Sequence, residues 1–595
     1  MYENFIHSIE ENFKIPIYHL EEKTALDSNV IDDLELVQSK ENLRSLYQEL
    51  FTTDAPFTDD IAEVIIKQFS KHYTNDVQFL KQTQELLTSP MSHTSEDARC
   101  SNEHGIYFVD NKDLAKSEGS SSRELVKTWQ SIRYADSGAF KNEYGYVNWK
   151  MWDTLNSSGH FMQLLSVYNL FIPFTFLVYP FFILLASLVI MISRGYSTSQ
   201  YPTIVHELLS NNSIYIFLTR FSSLKDKEKA YNVVSCLIYF FNIYQNIMVF
   251  RRFVKNMYKI FDNIAVISAY LANTVQNMDE FLKYSADKDS YKEFNEILAD
   301  KKNAILELSA SLNAIKLYSF SKVADFGYIM KTYYALHTND TYDNLVCYAL
   351  GFNKYLSLMS VIKRKVANKE LGVCRYITNA EKVIIKDTYH PTTVAKTPTK
   401  NTVKLGKNAI ISGPNASGKT TCLKTVLINI IFSQQFGCGY YSSFNLYPFK
   451  YVYSYVNIPD TSGRDSLFQA EARRCKQIMD SINASPTDRH FCIFDELYSG
   501  TNPEDAVDIG FAFLNNLASR ESVRFMITTH FIKMCKRFRK NPNVVNYNML
   551  TEEITSDNDA VHPLGGLKYK YQLVNGITKI TKGGLRVIQQ MGFSL

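Results

Sequence analysis

Between Ile410 and Thr421 the chain reads I-I-S-G-P-N-A-S-G-K-T-T, an apolar run entering a glycine loop that closes on Lys-Thr. Few sequences constrain a fold more tightly. The spacing Gly413-x4-Gly418-Lys419-Thr420 predicts a strand, a loop whose backbone N–H groups turn inward, and a helix whose N-terminal end faces an anion. In such a loop, made here of Gly413, Pro414, Asn415, Ala416, Ser417 and Gly418, the lysine reaches the β- and γ-phosphate oxygens of a nucleoside triphosphate. The Thr420 hydroxyl holds Mg²⁺, and Thr421 continues into a helix expected from about Thr420 to Phe432. Two further strand ends carry matching chemistry. His490-Phe491-Cys492-Ile493-Phe494-Asp495-Glu496 is an apolar run ending in two acids, the order in which a Mg²⁺-ordering Asp precedes a water-polarising Glu. Phe525-Met526-Ile527-Thr528-Thr529-His530 puts a histidine at the carboxyl end of a strand, where open α/β sheets bind ligands.

Length bounds the rest. A chain of 595 residues holds about three or four domains by the usual prior. Lys and Arg total 64 against 60 Asp and Glu, so the formal charge of +4 neither demands nor excludes a nucleic-acid partner. Nine cysteines are scattered singly with no C-x-x-C pair, a pattern that suits a reducing, intracellular compartment. The N-terminus lacks the basic and apolar regions of a secretory signal.

Four stretches follow from the patterning. Residues 1–130 are helical in period, interrupted at Thr88-Ser89-Pro90 and at Ser117-Glu118-Gly119-Ser120-Ser121-Ser122, and carry no cofactor motif. Residues 131–255 hold two apolar runs. Leu170–Ile192 is free of charge and long enough to cross a bilayer core of about 30 Å, with Pro173 and Pro180 inside it. Val233–Phe250 is aromatic but interrupted by Asn242, Gln245 and Asn246, and stops at Arg251-Arg252. One reading is a membrane hairpin with the C-terminal domain on the cytosolic side; the other is a pair of core helices. Basic residues flank both runs and lie between them, so charge counting does not choose a topology. Residues 256–384 are long, amphipathic and poor in proline, as lever arms or a connecting bundle would be. A Thr/Lys-rich stretch after His390-Pro391 leads into residues 385–595, where strands and helices alternate.

The segment Asp460-Thr461-Ser462-Gly463-Arg464-Asp465-Ser466 ends in a serine placed to cap a helix, followed by Leu467-Phe468-Gln469-Ala470-Glu471-Ala472-Arg473-Arg474. Together with S-G-P-N-A-S-G-K-T, F-D-E-L-Y-S-G-T-N-P-E-D-A and T-T-H-F, it resembles the ATPase domain of the MutS family, relatives of the ABC ATPases. The resemblance implies an α/β P-loop ABC-type ATPase domain at the C-terminus, preceded by largely α-helical connector or lever regions. It implies ATP and Mg²⁺ as cofactors, DNA as a partner, no small-molecule substrate beyond the nucleotide, and a homodimer in which Ser466 completes the site of the opposite subunit. Asn415 resembles the asparagine that touches the terminal phosphate. Asp495 and Glu496 match the metal-ordering and water-activating acids, with Lys419, Glu496 and His530 as the catalytic set and Thr420 and Asp495 as the metal set. His530 resembles the histidine that senses the γ-phosphate, and His390-Pro391 looks like the family's entry near the base.

Ser499-Gly500-Thr501 and Asp505 resemble the turn and acid that pass between subunits, with Tyr-Ser-Gly-Thr where relatives carry Gly-Arg-Gly-Thr. The tail from Tyr569 to Gly576, then Lys582-Gly583-Gly584-Leu585 and Met591-Gly592-Phe593, resembles the segment packed on the partner, with Thr581-Lys582-Gly583 for the usual Ser-Tyr-Gly. The likeness covers roughly residues 385–595, weakens over the helical arm and is absent from the first 150 residues. Repair members carry a Phe-x-Glu wedge there; Phe294-Asn295-Glu296 has the letters but a helical, charged context. The expected function is an ATP-driven dimeric clamp on DNA, in mismatch repair or related genome maintenance. The alternative is a membrane-anchored, ABC-like mechanochemical ATPase without mismatch recognition.

Overall fold

A computed structural model of the chain describes residues 2–39, 44–52, 60–88, 112–210, 212–315, 320–393, 398–456, 458, 466–554 and 566–579. It divides into two compact units, one of residues 1–5, 112–276 and 303–346, the other of residues 6–111, 277–302 and 347–595. This partition cuts across the four stretches of the sequence. The lever stretch is shared between the units, and most of the N-terminal stretch belongs with the nucleotide loop. The serine-rich linker expected after Glu118 lies within a helix, Lys112–Arg133, and Ser89-Pro90 lies outside the described residues.

Among its described residues the first unit contains helices and no strand. Buried polar groups join distant parts of it: the Trp129 indole donates to Asp343 at 2.8 Å and Tyr146 donates to the Met330 carbonyl at 2.8 Å. The first apolar run is built as α1 (Gly159–Phe171) and α2 (Thr175–Ser193), joined by a single 3₁₀ turn at Ile172–Phe174. Pro173 explains the break, because proline lacks the N–H that a continuous helix would need there. Two short helices follow, α3 (Tyr201–Leu209) and α4 (Ser213–Thr219). The second apolar run lies inside one unbroken helix, α5 (Asp226–Ser285), which contains no proline or glycine to stop it.

The second unit is built on a six-stranded sheet. Its strands are β1 (Asn408–Ser412), β2 (Tyr451–Tyr455), β3 (His490–Asp495), β4 (Val523–Thr529), β5 (Val544–Ile554) and β6 (Gly566–Asn575), in spatial order β6-β5-β1-β4-β3-β2. Five strands are parallel and only β6 is antiparallel. The parallel core follows from near-continuous apolar strands, buried on both faces, as in I-I-S and F-C-I-F. Between them run α6 (Lys419–Phe436), α7 (Leu467–Ala484) and α8 (Pro503–Ala518). The helix α6 outlasts its expected end by a turn, stopping at Gly437, whose φ of 72° is the left-handed cap glycine tolerates. A second, five-stranded sheet begins at Gly372, earlier than the expected domain start.

The N-terminal stretch has a structural role that its sequence did not disclose. It covers the far end of α6 and the edge of β2. Tyr47 donates to the Gln435 side chain at 2.6 Å, Tyr73 to the Lys450 carbonyl at 2.7 Å, and Ser454 to the buried Asp33 at 2.7 Å. Gln434, fully buried, donates to the carbonyls of Thr74 at 3.0 Å and Phe449 at 2.7 Å and accepts from the Phe449 amide at 2.9 Å. Replacing it strands three backbone groups away from water. Gln434→Leu is expected to destabilise this unit by roughly 3 kcal/mol, read as a lowered urea midpoint with an unchanged slope.

Candidate nucleotide site

The strand order β1-β4-β3 decides which residues meet. Thr528 pairs in register with both Asp495 and Ile411, and Thr529 with Ser412, so the loops leaving the three carboxyl ends open side by side. Between β1 and α6 the chain turns through positive φ at Ala416 (61°) and Gly418 (90°). A side chain at Gly418 would come within 3.0 Å of the Tyr571 ring, and one at Gly413 within 2.9 Å of the Ser417 hydroxyl. Glycine is required at both for close approach and, at Gly418, for the backbone angle. Ser417 closes the loop by donating to the Pro414 carbonyl at 2.7 Å. Asn415 is exposed in the loop, and Thr421 is exposed in the first turn of α6 (Lys419–Phe436).

Lys419 starts α6 and is only 5 % exposed. Its amino group donates to the carbonyls of Gly413 at 3.2 Å and Pro414 at 3.1 Å, and lies 3.4 Å from His530 Nε2 and 3.9 Å from Glu496 Oε1. Burial pushes its pKa down, opposed by the charges of Glu496 and Asp495. Thr420 donates to Asp495 Oδ2 at 2.8 Å, and Thr528 donates to Oδ1. Burial raises the Asp495 pKa against those two hydrogen bonds. A hydroxyl beside a carboxylate at a strand end suits Mg²⁺, which takes one or two protein oxygens and completes its shell with phosphate and water. Among the described residues there is no cluster of three His, Cys, Asp or Glu to hold a metal without such help.

Glu496 has a φ of 50°, and its amide donates to the Thr528 carbonyl at 3.2 Å, turning its side chain away from the line of β3. Its Oε1 accepts from His530 Nε2 at 2.6 Å, and that hydrogen bond, with the nearby Lys419, holds its carboxyl below the ordinary range. Lys419, Thr420, Asp495, Glu496 and His530 are therefore one contact set.

Ser466 and His390 stand outside it. Ser466 is the exposed N-cap of α7, accepting from the Gln469 amide at 3.3 Å while Gln469 caps it in return. It does not point into its own core. His390 accepts from Thr392 and lies near Lys424 of α6; burial, then Lys424, pushes its pKa down to about 4. The Gly-Arg-Asp turn before Ser466 and the tail beyond residue 579 lie outside the described residues.

Two participants went unread in the sequence. Thr528 bonds the Asp495 carboxylate through its hydroxyl and the Glu496 amide through its carbonyl, and its sequence signal is its place two residues before His530. Glu471 is 2 % exposed and accepts from the Ser499 amide and hydroxyl, both at 3.0 Å, and from the Gly500 amide at 3.2 Å. It ties α7 to the turn after Glu496. Phe468 packs on Tyr498 and Leu467 on Gly500, tightening the same junction.

Residues 409–594 match the family model of MutS domain V. Human MutS protein homolog 4 is 29% identical over 217 residues, which is 36% of this chain and 20% of that protein. The Endonuclease MutS2 of Clostridium perfringens is 26% identical over 211 residues, 34% of this chain and 26% of that one. The DNA mismatch repair protein MutS of Persephonella marina is 24% identical over 213 residues, 35% of this chain and 23% of its own length. The chain thus spans about a fifth to a quarter of these relatives, all of it in the region that carries the site.

Because the folded Glu496 carboxyl titrates below its ordinary value of 4.5, its pairing stabilises the protein fully above that value. The contribution fades as pH falls through the lowered value. Thermal melting from about pH 7 to pH 3 is expected to show an acid limb that Glu496→Gln makes shallower.

Proposed function

We propose that the C-terminal domain is a MutS-type ATPase that works as a homodimeric, DNA-binding clamp. The observation that carries this reading is the convergence of Lys419, Thr420, Asp495, Glu496 and His530 at three adjacent strand ends, beside a loop shaped for phosphate. The match to MutS domain V over the same residues supports a role in mismatch repair or related genome maintenance.

The chemistry follows from the geometry. The loop amides and Lys419 receive the β- and γ-phosphates, and Lys419 leaves the Gly413 and Pro414 carbonyls to do so. Held by Thr420 and Asp495 with the phosphates, Mg²⁺ would supply charge neutralisation at the transferred group. Glu496 must give up His530 before it can orient a water in line with the γ-phosphorus. His530, freed, turns its Nε2 toward the phosphate oxygens. Exchange of one partner for another couples nucleotide arrival to assembly of the base. The exposed Ser466 and the free amides at the start of α7 are suited to gripping an oxyanion of the opposite subunit's nucleotide.

Lys419→Ala is expected to weaken nucleotide binding by about 100-fold or more, measured by equilibrium titration. Glu496→Gln should retain ATP and lose turnover by on the order of 100- to 1000-fold, accumulating as a dimer in gel filtration. Ordinary turnover by that variant would remove Glu496 from the mechanism. Ser466→Arg is inactive alone on this reading, but mixing it with Lys419→Ala should recover activity at one of the two sites; no recovery would break the shared-site arrangement. DNA affinity should fall steeply between low and moderate salt, as phosphate contacts require.

A further inference from the structure

In the first unit, α2 and the first half of α5 are built inside out. Of the α2 residues from Phe181 to Ser193, the buried one is Ser187, while Phe181, Phe182, Leu185, Val189 and Ile192 are more than half exposed. From Ala230 to Phe250 of α5, the buried residues are Asn232 and Cys236, whose side chains donate to the Ser213 carbonyl of α4. Leu237, Ile238, Phe240, Phe241 and Tyr244 stand outward, each 57–62 % exposed. Water-soluble helices have the opposite polarity.

The same helix supplies its own control. At Arg251-Arg252 the pattern inverts: Phe253, Met257, Ile260, Ile264 and Ile267 are buried at helical spacing, and Lys255 and Lys259 are exposed. Nothing in the backbone changes there, since α5 runs on without a break. Only the solvent to which the surface is matched has changed.

We propose that this surface is embedded in a lipid bilayer, as a helical hairpin made of the charge-free stretches Leu170–Ser193 and Ala230–Phe250. Three observations favour lipid over a protein partner or a second copy. First, Ala230–Phe250 is about 31 Å long as a helix, against a hydrocarbon core of about 30 Å. Second, its exposed apolar positions sweep more than half the helix circumference, whereas a partner's groove is met by a single i, i+3, i+4, i+7 stripe. Third, one end is collared by exposed Arg251, Arg252 and Lys255, complementary to anionic headgroups, while at the other Arg194, Lys225 and Lys227 stand exposed beside Asp226 and Glu228.

The two outer ends lie together in the soluble part of this unit, where Lys259 pairs with Glu143 at 2.7 Å and Phe253 packs on Phe326. The linker folds back along α2, with Tyr201 donating to the Leu184 carbonyl at 2.9 Å. The inference stands whether or not Lys419 meets a nucleotide.

The test uses the full chain and vesicles of phosphatidylcholine and phosphatidylglycerol. Wild type should float with the vesicles and resist alkaline carbonate. Leu237→Lys with Phe241→Lys should reduce the floated fraction on the order of tenfold, while Leu306→Lys, at an exposed leucine outside the hairpin, leaves it unchanged. Independently of any substitution, proteinase K on vesicle-bound wild type should leave fragments covering Leu170–Ser193 and Ala230–Phe250. The proposal is overturned if wild type stays monodisperse without detergent and does not float, if the double-lysine variant floats as well as wild type, or if both stretches are digested. It is equally overturned if wild type forms a lipid-free oligomer that the lysine pair converts to monomer.

Discussion

The C-terminal domain is organised around one buried cation. Lys419 has its amino group in a cage of two loop carbonyls, a carboxylate and an imidazole, and an ammonium so withdrawn from water costs stability unless each partner is held in place. Holding them explains much of the local structure. The carbonyls of Gly413 and Pro414 face inward only because Ala416 and Gly418 carry the loop through left-handed backbone. Glu496 reaches the cage only because its own φ is positive and its amide is anchored on Thr528. These are strained conformations that a binding site retains and a purely structural turn would discard.

The cage in turn depends on α6 staying where it is, and here the N-terminal stretch matters. Gln434 and Gln435, at the end of α6 remote from Lys419, exchange hydrogen bonds with residues 47, 69, 72 and 74. Fixing one end of a stiff helix fixes the other. Glu471 does the corresponding work for α7. A buried carboxylate with three donors from Ser499 and Gly500 makes the first turns of α7 and the segment after Glu496 move as one body. An event at Ser466 is then felt three residues from the Glu496 backbone.

Legibility in the sequence followed the range of the interactions. The phosphate loop, the Asp495-Glu496 strand end and His530 were readable because each is a local string whose chemistry is fixed by spacing, and parallel strand order brought the three strings together. Thr528 and Glu471 were not, since their roles come from which strand or turn happens to lie opposite. The packing of the first 88 residues was invisible for the same reason: Asp33 and Ser454 are joined across more than 400 positions. A pause at Pro173 could be anticipated from the residue itself. The unbroken course of α5 could be anticipated as well, from the absence of proline and glycine, yet the sequence reading stopped at Phe250 because it followed hydropathy and not backbone propensity.

That last mismatch is instructive about α5. Hydropathy and helix propensity normally change together at the end of an element, because the turn that breaks the helix is also polar. Here they separate, and the helix continues while its surface chemistry inverts at Arg251-Arg252. A folding chain gains nothing in water by exposing Leu237, Phe240 and Phe241 while burying Asn232, for which about 25 cal/mol per Å² of apolar surface would be left unclaimed. The arrangement is stable only if the medium around residues 230–250 is itself apolar, so that the sole groups needing protein partners are the polar ones. On that argument Asn232 and Cys236, bonded to Ser213, fasten α5 to α4 of the segment between the two stretches, and the apolar residues outside face the lipid.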